Sequence, residues 1–137
     1  MYDKILVPTD GSDRSEKALE MAETVAETHS AELHIVNVID QRNDNLNGMA
    51  PSAVNQLEKA RIEMVEDQQE EAEEEGLDVK ADVVHGVPHE EIADYVEEHD
   101  IDGIIIGSTG NTGIDNLLLG STADKVLRTT DVPVTVV

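Results

Sequence analysis

The chain of 137 residues has no cysteine, no phenylalanine and no tryptophan, and only two tyrosines, Tyr2 and Tyr95. Without thiols it can form no disulfide, no cysteine-ligated zinc site and no thiol nucleophile. Without large aromatics the core must be built from Val, Ile, Leu and Ala. Basic side chains are also scarce: nine Lys and Arg stand against 31 Asp and Glu, for a formal net charge of -22. Such a surface lacks the clustered cations that grip nucleic acid or an anionic membrane. No apolar run is longer than a few residues, as in Ile104-Ile105-Ile106, so no segment is expected to span a bilayer. The start, Met1-Tyr2-Asp3-Lys4, moves directly into a strand-like run, without the charged-then-apolar order of a secretion signal. The expectation is a soluble, cytoplasmic chain of one-domain size.

What is present is acid, unevenly placed. Residues 103–137 hold Asp115, Asp124 and Asp131 against Lys125 and Arg128, a net of -1, which leaves -21 for the first 102 residues. The near-neutral third is where an anionic ligand meets least repulsion, and glycines gather there. The overall excess suits a cytosol of molar salt, where the Debye length falls to about 3 Å. At low salt the same charges repel one another and loosen the compact state.

The apolar pattern predicts nine alternating elements. Residues 4–8 form a buried strand stopped by Pro8, which has no N–H for a ladder. After a turn over Thr9 to Ser12, Ser12 or Asp13 caps a helix to His29 with an inward stripe of Ala18, Leu19, Ala22, Val25 and Ala26. Residues 32–39 form the second strand, and Asp40 to Pro51 a polar surface loop that is a candidate cover. Ser52 is expected to cap a long helix to Glu75, ended by Gly76, with Val54, Leu57, Met64, Val65 and Ala72 inward. Residues 79–85 make strand three, and Pro88 to His99 a helix that buries Ile92, Tyr95 and Val96. Residues 103–107 make strand four, a helix opens near Ser121, and 132–137 close the chain as strand five. Strands alternating with helices define an α/β class: a five-stranded, mainly parallel sheet between two helical layers. Ligands in such sheets bind beyond the carboxyl ends of the strands, where strand order reverses.

Two motifs fall at those ends. Gly107-Ser108-Thr109-Gly110 is followed after nine residues by Gly120-Ser121-Thr122. A glycine at the strand end allows close backbone approach, and a helix starting at Ser121 offers unpaired N–H groups to phosphate. The Ser108, Thr109, Ser121 and Thr122 hydroxyls add neutral donors. The other reading of the spacing is a plain glycine turn, with Ser121 and Asp124 as a capping box. It is neither a Walker A loop nor the dinucleotide fingerprint. The second motif is Pro8-Thr9-Asp10-Gly11-Ser12, where Asp10 either receives ribose hydroxyls or a phosphate-bound cation, or only shapes a turn. In a sheet ordered 3-2-1-4-5, strands one and four flank the reversal, and both motifs face one crevice. His85, His89 and Glu90 straddle a Gly-x-Pro turn and make a poor metal set. His34 reads as edge-exposed or hydrogen-bonded, the acids of 70–75 and 90–102 as solvated faces, and no Ser/His/Asp triad is apparent.

Val-Pro-Thr-Asp-Gly-Ser after the first strand, with Gly-x2-Gly-x9-Gly-Ser after the fourth, resembles the universal stress protein family, over the whole chain. The intact glycines, and Val-Val-His-Gly-Val-Pro-His-Glu-Glu at 83–91, are similar to its ATP-binding branch. The resemblance implies an adenine nucleotide alpha hydrolase-like fold. It also implies a site in which Pro8, Thr9 and Asp10 line the adenosine, with Asp10 near the ribose, and Val38 offers backbone groups to adenine. Ile106 and Gly107 would border the ribose, and Gly110, Gly120, Ser121 and Thr122, with Ser108, would hold phosphates. It implies ATP, or ADP or AMP, with Mg²⁺ on the phosphates. A homodimer through 132–137 and a stress-response or signalling role with a protein partner follow. The segment 111–119 departs from the family's habit of a basic residue there: it has no cation and adds Asp115. Either Mg²⁺ and solution cations neutralise a triphosphate, or the ligand bears fewer phosphates. The alternatives are a slow ATPase, for which the loop supplies only Asp115 and hydroxyls, and a nucleotide-free dimeric scaffold.

Overall fold

The computed structural model describes residues 2–40, 46–108 and 119–137. Their elements follow in the order β1 (Lys4–Pro8), α1 (Asp13–His29), β2 (Glu32–Ile39), α2 (Pro51–Glu74), β3 (Val79–His85), α3 (Pro88–Glu98), β4 (Gly103–Ile106), α4 (Ser121–Thr129) and β5 (Val134–Val136). The five strands form one sheet in the order β3-β2-β1-β4-β5, and each neighbouring pair is parallel. Pro8 lies opposite Val36, and Leu6 opposite both His34 and Ile104.

Alternation along the central strands divides the core between two faces. Ile5 and Val7 of β1, Leu33 and Ile35 of β2 and Ile105 of β4 pack with Ala18, Leu19, Ala22 and Ala26 of α1 and with Val65 and Ala72 of α2. The intervening Leu6, Val36, Ile104 and Ile106 pack with Ile92, Tyr95 and Val96 of α3 and with Ala123 and Val126 of α4. The small alanines of α1 let the helix sit close to a sheet that has no aromatic ring to fill a gap.

The helix starts differ from two sequence expectations. Ser12 does cap α1, accepting from the Ser15 N–H at 3.3 Å. Ser52, by contrast, lies inside α2: the cap position is Ala50, with no side-chain bond, and Pro51 occupies the first turn. Proline has a helical φ and no N–H to satisfy, so it opens the helix before the serine is reached. Ser121 is likewise the first residue of α4 rather than its cap, because the chain enters from Gly120. The end strands are shorter than expected. β4 stops at Ile106, and β5 spans Val134–Val136 only. The flanking residues still bond: the Ile104 N–H donates to the Pro133 carbonyl and the Ser108 N–H to that of Val137.

His34 is internal, because β2 lies between β3 and β1. It is fully buried on the α3 face, with Nδ1 2.6 Å from the Tyr95 hydroxyl and Nε2 2.6 Å from Glu32 Oε1. A neutral ring satisfies both contacts, Nε2–H donating to Glu32 and Nδ1 accepting from Tyr95. Burial pulls its pKa below the ordinary 6.5 against the opposing pull of Glu32. His85, at the end of β3, pairs instead with Glu58 of α2 at 2.6 Å. Among the described residues no helix is long and apolar enough to cross a membrane.

Candidate functional site

The chain leaves β1 for β2 on one side and reaches β4 from β3 on the other. Strand order therefore reverses between β1 and β4, and their carboxyl ends border one crest. Helices α1 and α4 both begin at that crest, on opposite faces of the sheet.

On the β1 side the turn is tied down almost atom by atom. Thr9 is buried: its N–H donates to the Val36 carbonyl at 2.8 Å and its hydroxyl to Ser15 Oγ at 3.2 Å. Asp10 Oδ1 accepts from the Ser12 N–H at 2.9 Å, an Asx turn that aims the strand exit into α1. Gly11 has φ +81, the left-handed region that favours glycine, and a side chain there would press within 3.1 Å of the Met64 sulfur. The Thr9 carbonyl is held from below by Asn37, which is 1% exposed: Nδ2 donates to it at 2.7 Å, and Asn37 Oδ1 accepts from Arg61 Nη1 of α2 at 3.0 Å. Asn37 was not among the expected site residues. The signal that points to it is a lone amide in the interior of a strand that is otherwise apolar but for His34.

On the β4 side the ties are backbone ties. Ser108 receives the Gly120 N–H on its carbonyl and gives its own N–H to Val137 at 2.8 Å, so the strand exit and the helix entry are clamped together. Gly107 serves a purpose other than a sharp bend. A side-chain carbon there would lie 2.9 Å from the Arg14 carbonyl carbon, so the absence of one lets the first turn of α1 rest on the end of β4. Gly107 is thus where the two motifs meet. Among the described residues no side chain caps α4; Gly120 at its cap position has φ -65, and the first helical bond runs from the Asp124 N–H to the Gly120 carbonyl. The N–H groups of Ser121, Thr122 and Ala123 are therefore left without an intrahelical acceptor, at the positive end of the helix dipole.

Of the expected site residues, Pro8, Thr9 and Asp10 thus share the crest with Ile106, Gly107, Ser108, Gly120, Ser121 and Thr122. Val38 stands two residues past the point on β2 where β1 ends, half-buried and packed towards α3 and α4. Thr109, Gly110 and Asp115 lie outside the described residues. Among the described residues the arrangement offers one fixed carboxylate, several hydroxyls and an uncapped helix start. Such a crest suits holding a sugar and an anionic group.

A doubly wound α/β sheet with its candidate site at the reversal between β1 and β4 is the class of protein described so far. The universal stress protein family model matches residues 1–137, and the chain belongs to that family. Universal stress protein MJ0531 of Methanocaldococcus jannaschii is 34% identical over 140 residues, covering all of this chain and 82% of the relative. Universal stress protein MJ0577 of the same organism is 32% identical over 154 residues, covering all of this chain and 95% of that one. The solved structure of MJ0577 superposes with a TM-score of 0.88 at 36% identity, over 100% of this chain and 96% of its own. A universal stress protein solved in complex with cAMP superposes with a TM-score of 0.72 at 25% identity, over 99% and 96%. The fold is accordingly of the nucleotide alpha hydrolase-like kind.

Proposed function

We propose that this chain binds an adenine nucleotide across the β1–β4 crest and acts as a ligand-dependent stress-response protein. The observation that carries the reading is the uncapped start of α4, clamped by Ser108 beside a fully tied β1 turn. Asp10 receives ribose hydroxyls, Pro8, Thr9, Val38, Ile106 and Gly107 line the nucleoside, and Ser108, Gly110, Gly120, Ser121 and Thr122 surround the phosphates. ATP with Mg²⁺ is the expected ligand, with ADP and AMP as its competitors. The family relative solved with cAMP supports an adenine nucleotide as the class of ligand.

The working form is a homodimer in the cytoplasm, paired through 132–137. β5 is a sheet edge in the near-neutral third of a chain that is otherwise strongly acidic, and an apolar edge needs a partner or a cover. Nucleotide occupancy alters the crest next to that edge and so the surface shown to a protein partner. The acidic remainder adapts the chain to molar salt.

The test is calorimetric titration with ATP and AMP, with Mg²⁺, in molar KCl, on the wild type and on Gly120→Val. The φ of Gly120 is one that valine adopts without strain, and a melting curve checks that the variant folds. Saturable binding by the wild type and its loss in the variant support the reading. A folded wild type that binds neither nucleotide refutes it.

A further inference from the structure

The phosphate side of the crest raises a problem of charge. Residues 111–119 contain no cation, and the bases of the last third, Lys125 and Arg128, are both exposed on α4, beyond its first turn. Arg128 is moreover engaged with Asp124 at 3.1 Å. From the last third of the chain a polyphosphate at the start of α4 would therefore gain no free cation, and unneutralised charge in a cleft is costly.

The contact at Gly107 brings a cation from another part of the chain. The backbone of Arg14 rests on Gly107, with the Arg14 Cβ 3.1 Å from where a glycine side chain would begin. Arg14 is in the first turn of α1, which starts at the crest, and helical side chains lean towards their helix N-terminus. Its side chain therefore starts at the end of β4, on the crest itself. The residue is half-buried, yet among the described residues its side chain makes no ion pair or hydrogen bond, in a chain with 31 acids. Arg61, by comparison, is committed to Asn37. A planar guanidinium presents paired N–H donors that match two phosphate oxygens, a geometry a lysine lacks.

We propose that Arg14, lent to the β4 crest by its contact with Gly107, is the phosphate-binding cation of this site and sets its preference for di- and triphosphates over adenosine. This rests on the nucleotide reading above and assigns it a residue outside the glycine motif.

The test is titration of the full chain with adenosine, AMP and ATP, for wild type, Arg14→Gln and Arg14→Lys, at two KCl concentrations. Thermal melting checks that the variants fold. The glutamine variant is expected to lose about tenfold or more in ATP affinity. Its AMP affinity falls less and its adenosine affinity stays unchanged. Lysine restores part of the ATP loss, and the wild type shows the steeper dependence of ATP binding on KCl. Equal loss for adenosine and ATP would make Arg14 a structural prop and overturn the proposal, as would ATP binding indifferent to the substitution. A folded wild type that binds none of the three overturns the nucleotide reading and this one with it, whereas tight wild-type binding that survives Arg14→Gln overturns only this one.

Discussion

Helices α1 and α4 start at the same crest, yet their first turns are built oppositely. α1 is closed by its own sequence: Ser12 accepts from Ser15 N–H, Asp10 accepts from Ser12 N–H, and Thr9 and Ser15 join their hydroxyls beneath. α4 starts from a glycine, which has no side chain to cap its first N–H groups. An orphan helix start at a strand-order reversal is the natural seat of an anion, and a start already satisfied by its own serine is not. The difference divides the labour of the crest. The β1 side is tied by its own hydrogen bonds and presents a carboxylate held by the Ser12 N–H; the β4 side has a helix start whose first N–H groups lack an intrahelical acceptor.

The largest blow to this arrangement is predicted at the point where the two halves touch. Gly107→Val drives a branched side chain into the Arg14 backbone, and overpacking of this kind costs about 1–3 kcal/mol. Urea unfolding should show a lowered midpoint at unchanged slope. A variant as stable as the wild type would mean that α1 does not rest on β4.

Gly120→Asp sharpens the comparison by giving α4 the cap it lacks. Aspartate at a cap is slightly better than glycine, so the melting temperature should hold or rise while the carboxylate takes the phosphate seat. ATP affinity should fall by at least about tenfold, or 1.4 kcal/mol. Calorimetry beside a melting curve separates the two effects.

The serines provide a smaller contrast. Ser12→Ala should cost about 1 kcal/mol of stability, the usual value of a lost cap, whereas Ser121→Ala should cost close to nothing. Denaturant titration of both variants decides it, and equal costs would contradict the asymmetry.

The two faces of the sheet should also titrate in opposite senses. Burial keeps His34 neutral in the fold below the ordinary 6.5, with His99 and Lys4 adding to the effect. The unfolded chain therefore takes up the proton first, and stability falls as pH drops below about 6.5. On the other face, burial and then the charges of Glu75, Glu71 and Glu20 push Glu23 from 4.5 to about 7. There the folded state holds the proton more tightly, so this contribution to stability is lost as pH rises from 4.5 through 7. Unfolding free energy measured against pH should flatten on its acid side in His34→Gln and on its neutral side in Glu23→Gln.

Much of this was legible in the sequence. The order of elements, the end of β1 at Pro8 and the Ser12 cap follow from local chemistry: a missing N–H, an alternating pattern, a serine before an acidic first turn; the strand order came with the family resemblance. The misplaced caps at Ser52 and Ser121 fail for a local reason as well, since the neighbouring Pro51 and Gly120 compete for the helix start and win. What could not be read was long-range. That Asn37 ties Thr9 to Arg61, and that Gly107 admits the backbone of Arg14, depends on residues 24 to 93 positions apart becoming neighbours. Sequence spacing marks glycine as necessary there without saying what approaches it.

The most direct test of the account is the backbone amide spectrum of the full chain in molar KCl, titrated with ATP and Mg²⁺. The account predicts saturable shifts at Ser121, Thr122 and Ala123, with Asp10 and Gly107 following in step, while the internally bonded amides of Ser12 and Ser15 move least. Shifts centred on the start of α1, or none at any of these amides at saturating nucleotide, would contradict it.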